Sequence, residues 1–316
     1  MKKMIYLILI LMLVAVKSWS QDRSRYAQYQ LYPVLINPAY TGFSGDHNLL
    51  FNYRSSWAGF DNGNPPRDVT FSYDGKVLDR VGLGAMLVSQ QIGSLQNYRA
   101  QLAYAYGFKA GDFDLSVGLT TEFLQTRLSN KAILDPFYDP GDPIFEEAVD
   151  GLQYFDAALG FYTEYQEKLF VGLTVPNLIR LRIDQATVPT QTESTALKYF
   201  ALQLGYRFMV ENYNFKVEPS LLVRRLRDAP FQTDLNLKLA FLEDQLIGGL
   251  VYSIGTTSKV GFLIGTRINN LRLSYSYDVG LIDFQQYNNG SHEITVGLKI
   301  DQKPKRVKLE DVDPNQ

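Results

Sequence analysis

The sequence predicts an all-β chain, a transmembrane antiparallel β-barrel of the outer membrane with about 14 strands and a short N-terminal lead-in segment. Three observations predict it. Apolar and polar residues alternate with a period of two along most of the chain, the polar member of each alternation is often charged, and long and short connections fall at opposite ends of the strands.

The chain opens MKKMIYLILILMLVAVKSWS: two lysines, an apolar run from Met4 to Val16, then Ser18-Trp19-Ser20. That layout is a secretory signal peptide over residues 1–20 with cleavage after Ser20, because the run falls short of the ~20 apolar residues that span a bilayer as a helix. Its removal leaves 296 residues, with 28 basic against 33 acidic side chains. An acidic balance argues against a nucleic-acid partner. There are 0 cysteines, so disulfides, thiolate chemistry and a lipid-anchoring cysteine are all excluded; a bacterial envelope protein fits that usage better than a small disulfide scaffold. No later apolar run reaches the length of a spanning helix. The 21 tyrosines and 19 phenylalanines suit strands and the water–lipid boundary.

Residues 21–45 precede the alternation and are expected to form a lead-in that plugs or caps a lumen. The barrel is expected over 46–300. Its strands are predicted near 46–56, 67–76, 80–91, 96–109, 111–126, 152–163, 168–176, 197–209, 213–224, 231–242, 245–254, 257–268, 270–280 and 290–300. In each, one parity is apolar: Leu49, Phe51 and Tyr53 oppose Asn52 and Arg54; Phe113, Leu115, Val117 and Leu119 oppose Asp112, Asp114, Ser116 and Gly118; Leu235, Leu237 and Leu239 oppose Asp234, Asn236 and Lys238. In NNLRLSYSYDVG, residues 269–280, Leu271, Leu273, Tyr275, Tyr277 and Val279 oppose Arg272, Ser274, Ser276 and Asp278. A strand puts alternate side chains on opposite faces. Charges such as Asp74, Arg99, Glu122, Asp156, Arg207, Arg224, Asp278 and Glu293 would be costly in a dry core and cheap in a wet lumen, so the apolar parity is expected to face lipid.

The connections 57–66, 127–151, 177–196 and 281–289 are long, whereas those around 77–79, 110, 164–167, 210–212, 243–244 and 269 are short. Outer-membrane barrels sort loops this way, and a Greek-key sandwich has no reason to. The links at 92–95 and near 227 and 255 are short exceptions, and Pro219 in mid-strand is expected to mark a bulge. Residues 301–316, DQKPKRVKLEDVDPNQ, are expected as a charged periplasmic tail.

Little chemistry is visible. His47 and His292 are the only histidines, and His292 is expected to make a structural hydrogen bond rather than act in catalysis. VGLGAM at 81–86 lacks the third glycine and the helix of a phosphate loop, and its glycines are expected to let the wall curve. Neither G-x-S-x-G nor H-E-x-x-H occurs. The acidic loop 135–150, with Asp135, Asp139, Asp142, Glu146, Glu147 and Asp150, is either a calcium site or a solvated loop ordered by three prolines; its spacing matches no calcium loop. The expectation is a non-enzyme with no cofactor and no metal.

At YPVLINPAYTG, residues 32–42, the chain resembles the PorP/SprF family of Bacteroidetes outer-membrane proteins through Asn37, Pro38, Ala39, Tyr40 and Gly42. Further resemblances follow in order: YRSSWAGF around Trp57, Gly82 to Gly84, YAYGF at 104–108, VEPSLLVR around Pro219 and Ser220, and the terminal SHEITVGLK with His292 and Glu293. Asn-Pro-Ala-Tyr-Thr-Gly reads physically as a turn, since Pro38 fixes φ, Asn37 can bond ahead to the backbone and Gly42 permits a positive φ. These residues are expected either to hold the lead-in or to meet a partner. The resemblance implies a component of type IX secretion and gliding motility in the cell outer membrane. It would help to secrete or anchor large surface proteins, adhesins among them, that bear a C-terminal sorting domain. Implied partners are those proteins, other secretion components including a periplasmic OmpA-like lipoprotein, and outer-membrane lipid. The chain departs from many such barrels in running past Ile300 into a polar tail rather than ending on an aromatic residue. The alternative is a small-solute outer-membrane channel or transporter, although a lumen of mixed sign favours a paired interior over a selective pore.

Overall fold

In the computed structural model the stretch 269–280 forms a strand, Leu271–Gly280, with Tyr275 and Leu273 outside and Ser274, Ser276 and Asp278 buried inside. The structure describes residues 26–59, 65–129, 133, 149, 151–184, 198–210, 215–227, 229–255, 258–281 and 283–300. The expected signal peptide, the charged tail and all six acidic residues of the 135–150 loop lie outside them.

Among the described residues there are sixteen strand segments: β1 (His47–Ser55), β2 (Arg67–Leu78), β3 (Val81–Ile92), β4 (Leu95–Ala110), β5 (Phe113–Leu128), β6 (Leu152–Tyr165), β7 (Leu169–Val175), β8 (Leu181–Arg182), β9 (Phe200–Tyr206), β10 (Phe208–Val210), β11 (Phe215–Arg225), β12 (Gln232–Phe241), β13 (Leu246–Gly255), β14 (Lys259–Ile268), β15 (Leu271–Gly280) and β16 (Ser291–Ile300). They make fourteen antiparallel staves. β9 and β10 are one stave interrupted at Arg207, both pairing with β11, and β8 is a two-residue bridge to β6. Pairing of β16 with β1 and of β7 with β9 closes the barrel.

The expected bulge at Pro219 is absent: β11 keeps one register along β12, with Pro219 opposite Leu237. The irregularity falls on the neighbouring stave, whose ladder breaks at Arg207 between Gly205↔Ser220 and Phe208↔Val217. Proline offers no N–H on that side, so a ladder bond is lost without a residue being inserted.

Turn chemistry explains the parity of the connections. At one end the hairpins turn at Asn269-Asn270, at Gly111-Asp112 and through Leu242, Glu243 and Asp244, with Asn269, Gly111 and all three of the latter at positive φ, the conformation tight hairpins require. An even number of staves brings the start of β1 and the end of β16 to this same short-turn end. The longer connections cross the other end.

The outer face is apolar, with Leu87, Leu102 and Ile264 more than half exposed. Aromatic residues gather at the short-turn end, where Phe113 meets Tyr165 at 4.7 Å, Tyr206 meets Phe208 at 4.5 Å and Phe215 meets Phe241 at 5.3 Å between ring centroids. Such a girdle marks the level of the headgroups. Because the chain has 0 cysteines, single fluorophores can be attached to Leu237→Cys or Tyr275→Cys. Both should be quenched strongly by nitroxides on lipid acyl chains, while a label at Lys216→Cys, on the luminal rim, should be spared; equal quenching at all three would contradict this sidedness.

Candidate functional site: the plugged lumen

The lumen is not wet throughout. Residues 26–45 run inside it as three 3-10 turns, Gln28–Gln30, Pro33–Leu35 and Pro38–Tyr40. Tyr26, Tyr32 and Leu35 pack on Leu50, Met86 and Val88, which β1 and β3 turn inward. Tyr29 packs on Ala201 and Leu222. Each large side chain buried in this way contributes about 1.5–3 kcal/mol, so the lead-in is a second core within the barrel. Burial pushes the Tyr26 phenol up to about 12, leaving it a neutral partner for Thr70 Oγ1 at 2.9 Å.

Two devices hold the plug. The first is Glu293 on β16, whose side chain is wholly buried. Its carboxylate accepts from the Ala27 N–H at 2.7 Å, the Gln28 N–H at 3.4 Å, Asn52 Nδ2 at 2.9 Å and Arg54 Nη1 at 2.8 Å. Arg54 also donates to Asp278 at 2.8 Å, and Lys259 reaches Asp278 at 2.7 Å. Farther along, the Tyr29 hydroxyl and Gln30 Nε2 both donate to Asn236 Oδ1 at 2.9 Å, and Tyr32 shares a hydrogen bond with Ser274 at 3.0 Å. The charges expected to be hydrated are thus mostly dry here, and pairing with each other and with plug amides offsets their desolvation.

The second device is the Asn37-Pro38-Ala39-Tyr40-Thr41-Gly42 turn. Asn37 caps it by accepting from the Ala39 N–H at 2.9 Å, Pro38 occupies its first position, and Gly42 has φ +67. Asn37 Nδ2 then donates to the Phe161 carbonyl of β6 at 3.0 Å, and the Gly42 N–H to Asp74 at 3.2 Å. The turn lies on a bare strip of wall. A Cβ on Gly118 would fall on the backbone of Pro38 and Ala39, one on Gly160 on Asn37 Oδ1 and then the Ala39 nitrogen, one on Gly82 on the Thr41 carbonyl, and one on Gly172 within 3.0 Å of Asn37 Nδ2. Gly118 and Gly160 face each other across β5 and β6. Tyr40 meets Tyr162 edge-on at 5.0 Å, with Phe43 against the same ring at 4.8 Å. Burial, then the nearby Glu164, raises the Tyr40 phenol above its ordinary range.

The eight residues singled out in the sequence therefore separate. Asn37, Pro38, Ala39, Tyr40 and Gly42 sit together on the glycine strip. Glu293 lies at the start of the plug. Trp57, at φ 54, donates its backbone N–H to Ser291 Oγ at 3.3 Å on the long-loop rim. His292 points outward and shares a 2.8 Å hydrogen bond with the Tyr275 hydroxyl, while His47 pairs with Tyr73 at 2.7 Å. Sequence reasoning missed Gly160 and Gly172 opposite the turn, passed over Gly118 although it stands at an inward parity where a side chain would be ordinary, and read Gly82 only as letting the wall curve, whereas it makes room for Thr41. Among the described residues no group of His, Asp and Glu is arranged to hold a metal.

Below the plug, at the short-turn end, lies a vestibule of about 230 Å³. Arg207 bridges Glu164 at 2.8 Å and Glu218 at 2.9 Å, Lys238 also reaches Glu218 at 2.6 Å, and Lys216 pairs with Asp244 at 2.8 Å.

Comparison with known proteins places this architecture. The P. putida toluene transporter TodX is similar in structure, with TM-score 0.53 at 11% identity over 85% of this chain and 94% of that one. The CymD monoaromatic hydrocarbon channel gives 0.51 at 11% identity over 90% and 94%, and the Ralstonia pickettii toluene transporter TbuX gives 0.51 at 9% over 85% and 93%. At such identities the likeness is one of fold, the outer-membrane β-barrel. No curated protein matches the chain. A family model described as type IX secretion system membrane protein PorP/SprF matches residues 18–298.

Proposed function

The chain belongs to the PorP/SprF family of type IX secretion system membrane proteins, and from that membership we propose that it serves in the outer membrane to secrete or anchor large surface proteins, adhesins included, that carry a C-terminal sorting domain. On this proposal the signal peptide is removed on export, the long loops face outward to meet cargo, and the short-turn end meets the gliding and secretion machinery, a periplasmic OmpA-like lipoprotein among it. The barrel has no enzymatic step of its own. The observation that carries the proposal, beside the family, is the plug: a bore filled by Tyr26, Tyr29, Tyr32 and Leu35 is unsuited to solute flow, which leaves the rims as the working surfaces. A small-solute channel is the competing function, and the TodX and CymD likeness supplies the fold for one but not an open path.

The test has two arms. Purified protein in a planar bilayer should give no steady conductance, and removal of the loop 177–196, part of which lies outside the described residues, should release surface cargo into the medium while the barrel still assembles. A steady open channel with unchanged cargo retention would favour the solute transporter and overturn the proposal.

A further inference from the structure

The outward face of β2 to β5 changes character just before the long-loop rim. On β2 the lipid-facing positions run Phe71, Val69 and then Arg67; on β5 they run Leu119, Thr121, Phe123 and then Gln125 and Arg127. Both arginines are exposed. Register joins them, since Arg67 stands opposite Gln91, Gln91 opposite Gln96, and Gln96 opposite Arg127. Four adjacent staves thus end in one strip of cations and amides. Three strand spacings of about 4.8 Å separate the two arginines along the wall, so each addresses its own anion.

Arg127 does not reach up into the loops. Its Nη2 donates to the Tyr98 hydroxyl at 3.3 Å and its guanidinium carbon lies 5.0 Å from the centre of the Tyr98 ring, while that hydroxyl donates to Gln96 Oε1 at 3.3 Å. Tyr98 is one outward position nearer the apolar band than Gln96, so the cation is held down at the boundary where aromatic residues meet headgroups. No carboxylate of these four staves shares that face: Asp68, Asp74 and Glu122 are buried in the lumen, and Asp114 pairs with Lys109 at 3.1 Å at the short-turn end. Among the described residues neither Arg67 nor Arg127 has an ion-pair partner.

A ligand for this strip needs an anion at its head and hydrocarbon beneath, because the outward positions under the arginines, Val69 and Phe123, belong to the exposed apolar band. Arginine binds phosphate through paired hydrogen bonds, and amide side chains can donate to and accept from sugar hydroxyls. We propose that Arg67 and Arg127 are docking points for the phosphates of lipid A, the glycolipid of the outer leaflet, with Gln91 and Gln96 meeting its sugars, so that this glycolipid concentrates on the β2–β5 side of the barrel. The site rests on the outward orientation of the long loops proposed above but on no particular cargo.

Energy transfer in nanodiscs tests the headgroup chemistry without reference to orientation in the cell. A donor fluorophore is placed on Ser89→Cys, outward on β3 within the strip, or on Ile254→Cys, exposed at the long-loop end of β13 across the barrel. The nanodiscs are phosphatidylcholine doped with lipid A that carries an acceptor on an acyl chain. Transfer should report roughly fivefold enrichment of lipid A at Ser89 over Ile254, the factor that one basic side chain supplies near an anionic lipid surface. Arg67→Gln with Arg127→Gln should abolish the enrichment, and so should removal of the phosphates from the lipid A. Heat-modifiable migration on a gel shows that every variant is folded. Equal transfer at the two positions, enrichment that survives the double substitution, or equal enrichment of dephosphorylated lipid A would each overturn the proposal.

Discussion

Replacing Gly118 by valine is expected to unseat the plug without dismantling the barrel. The new Cβ would land on the backbone of Pro38 and Ala39, and backbone cannot rotate away as a flexible side chain can. Overpacking of an ordinary core costs roughly 1–3 kcal/mol, and here the strain is relieved most easily by lifting the Asn37–Gly42 turn off the wall. The strand ladders and the lipid-facing surface of β5 stay intact, so assembly should continue. The expected readouts are conductance above the parental level and new protease cleavage within 26–45. Gly160→Val should behave alike, because Gly160 faces the same turn from β6, whereas Gly248→Val, where an added Cβ meets open space, should leave both readouts at the parental level. A Gly118→Val protein as silent and as protease-resistant as the parent would show that the turn does not depend on the bare strip.

Glu293→Ala is expected to be the most destabilising single truncation in the lumen. It strips one partner from Arg54 and leaves the Ala27 and Gln28 N–H groups and Asn52 Nδ2 facing a void. Breaking a buried ion pair by removing one partner costs about 3–5 kcal/mol, and the orphaned amides add to it. The temperature at which the folded band is lost should fall sharply, and the N-terminal residues of the plug should exchange amide hydrogens faster. Arg54→Met combined with Glu293→Met should recover part of the loss relative to either single change, since neither charge is then stranded. Additive losses in that cycle would mean that the two side chains do not act as a pair.

The strands were legible because their period of two is a local property. The prediction of 270–280 differs from the observed Leu271–Gly280 by one residue; the alternation gave fourteen strands, as observed, and the parity of the connections gave the barrel. The stretch predicted as one strand over 197–209 is the stave broken at Arg207, a gap set by a proline on the neighbouring strand and so invisible within the stretch itself. The plug was foreseen only as an option. Its signature was present in the wrong-parity residues: Leu50, Met86, Val88 and Leu222 stand where the luminal face should be polar, and they make sense only with a second apolar segment inside. Ionic partners were harder still, since Arg54 and Glu293 lie 239 positions apart in the sequence and become cross-strand neighbours only once β1 meets β16. The role of Gly118 depended on knowing what passes over it.

The seam between β16 and β1 has a consequence for biogenesis. The last stave to leave the ribosome carries the carboxylate that clasps Ala27 and Gln28 at the head of the plug, so the two ends of the barrel sequence meet at one side chain. Because the same carboxylate also holds Arg54 and Asn52 of the first stave, closure of the seam and seating of the plug share one anion and are energetically linked.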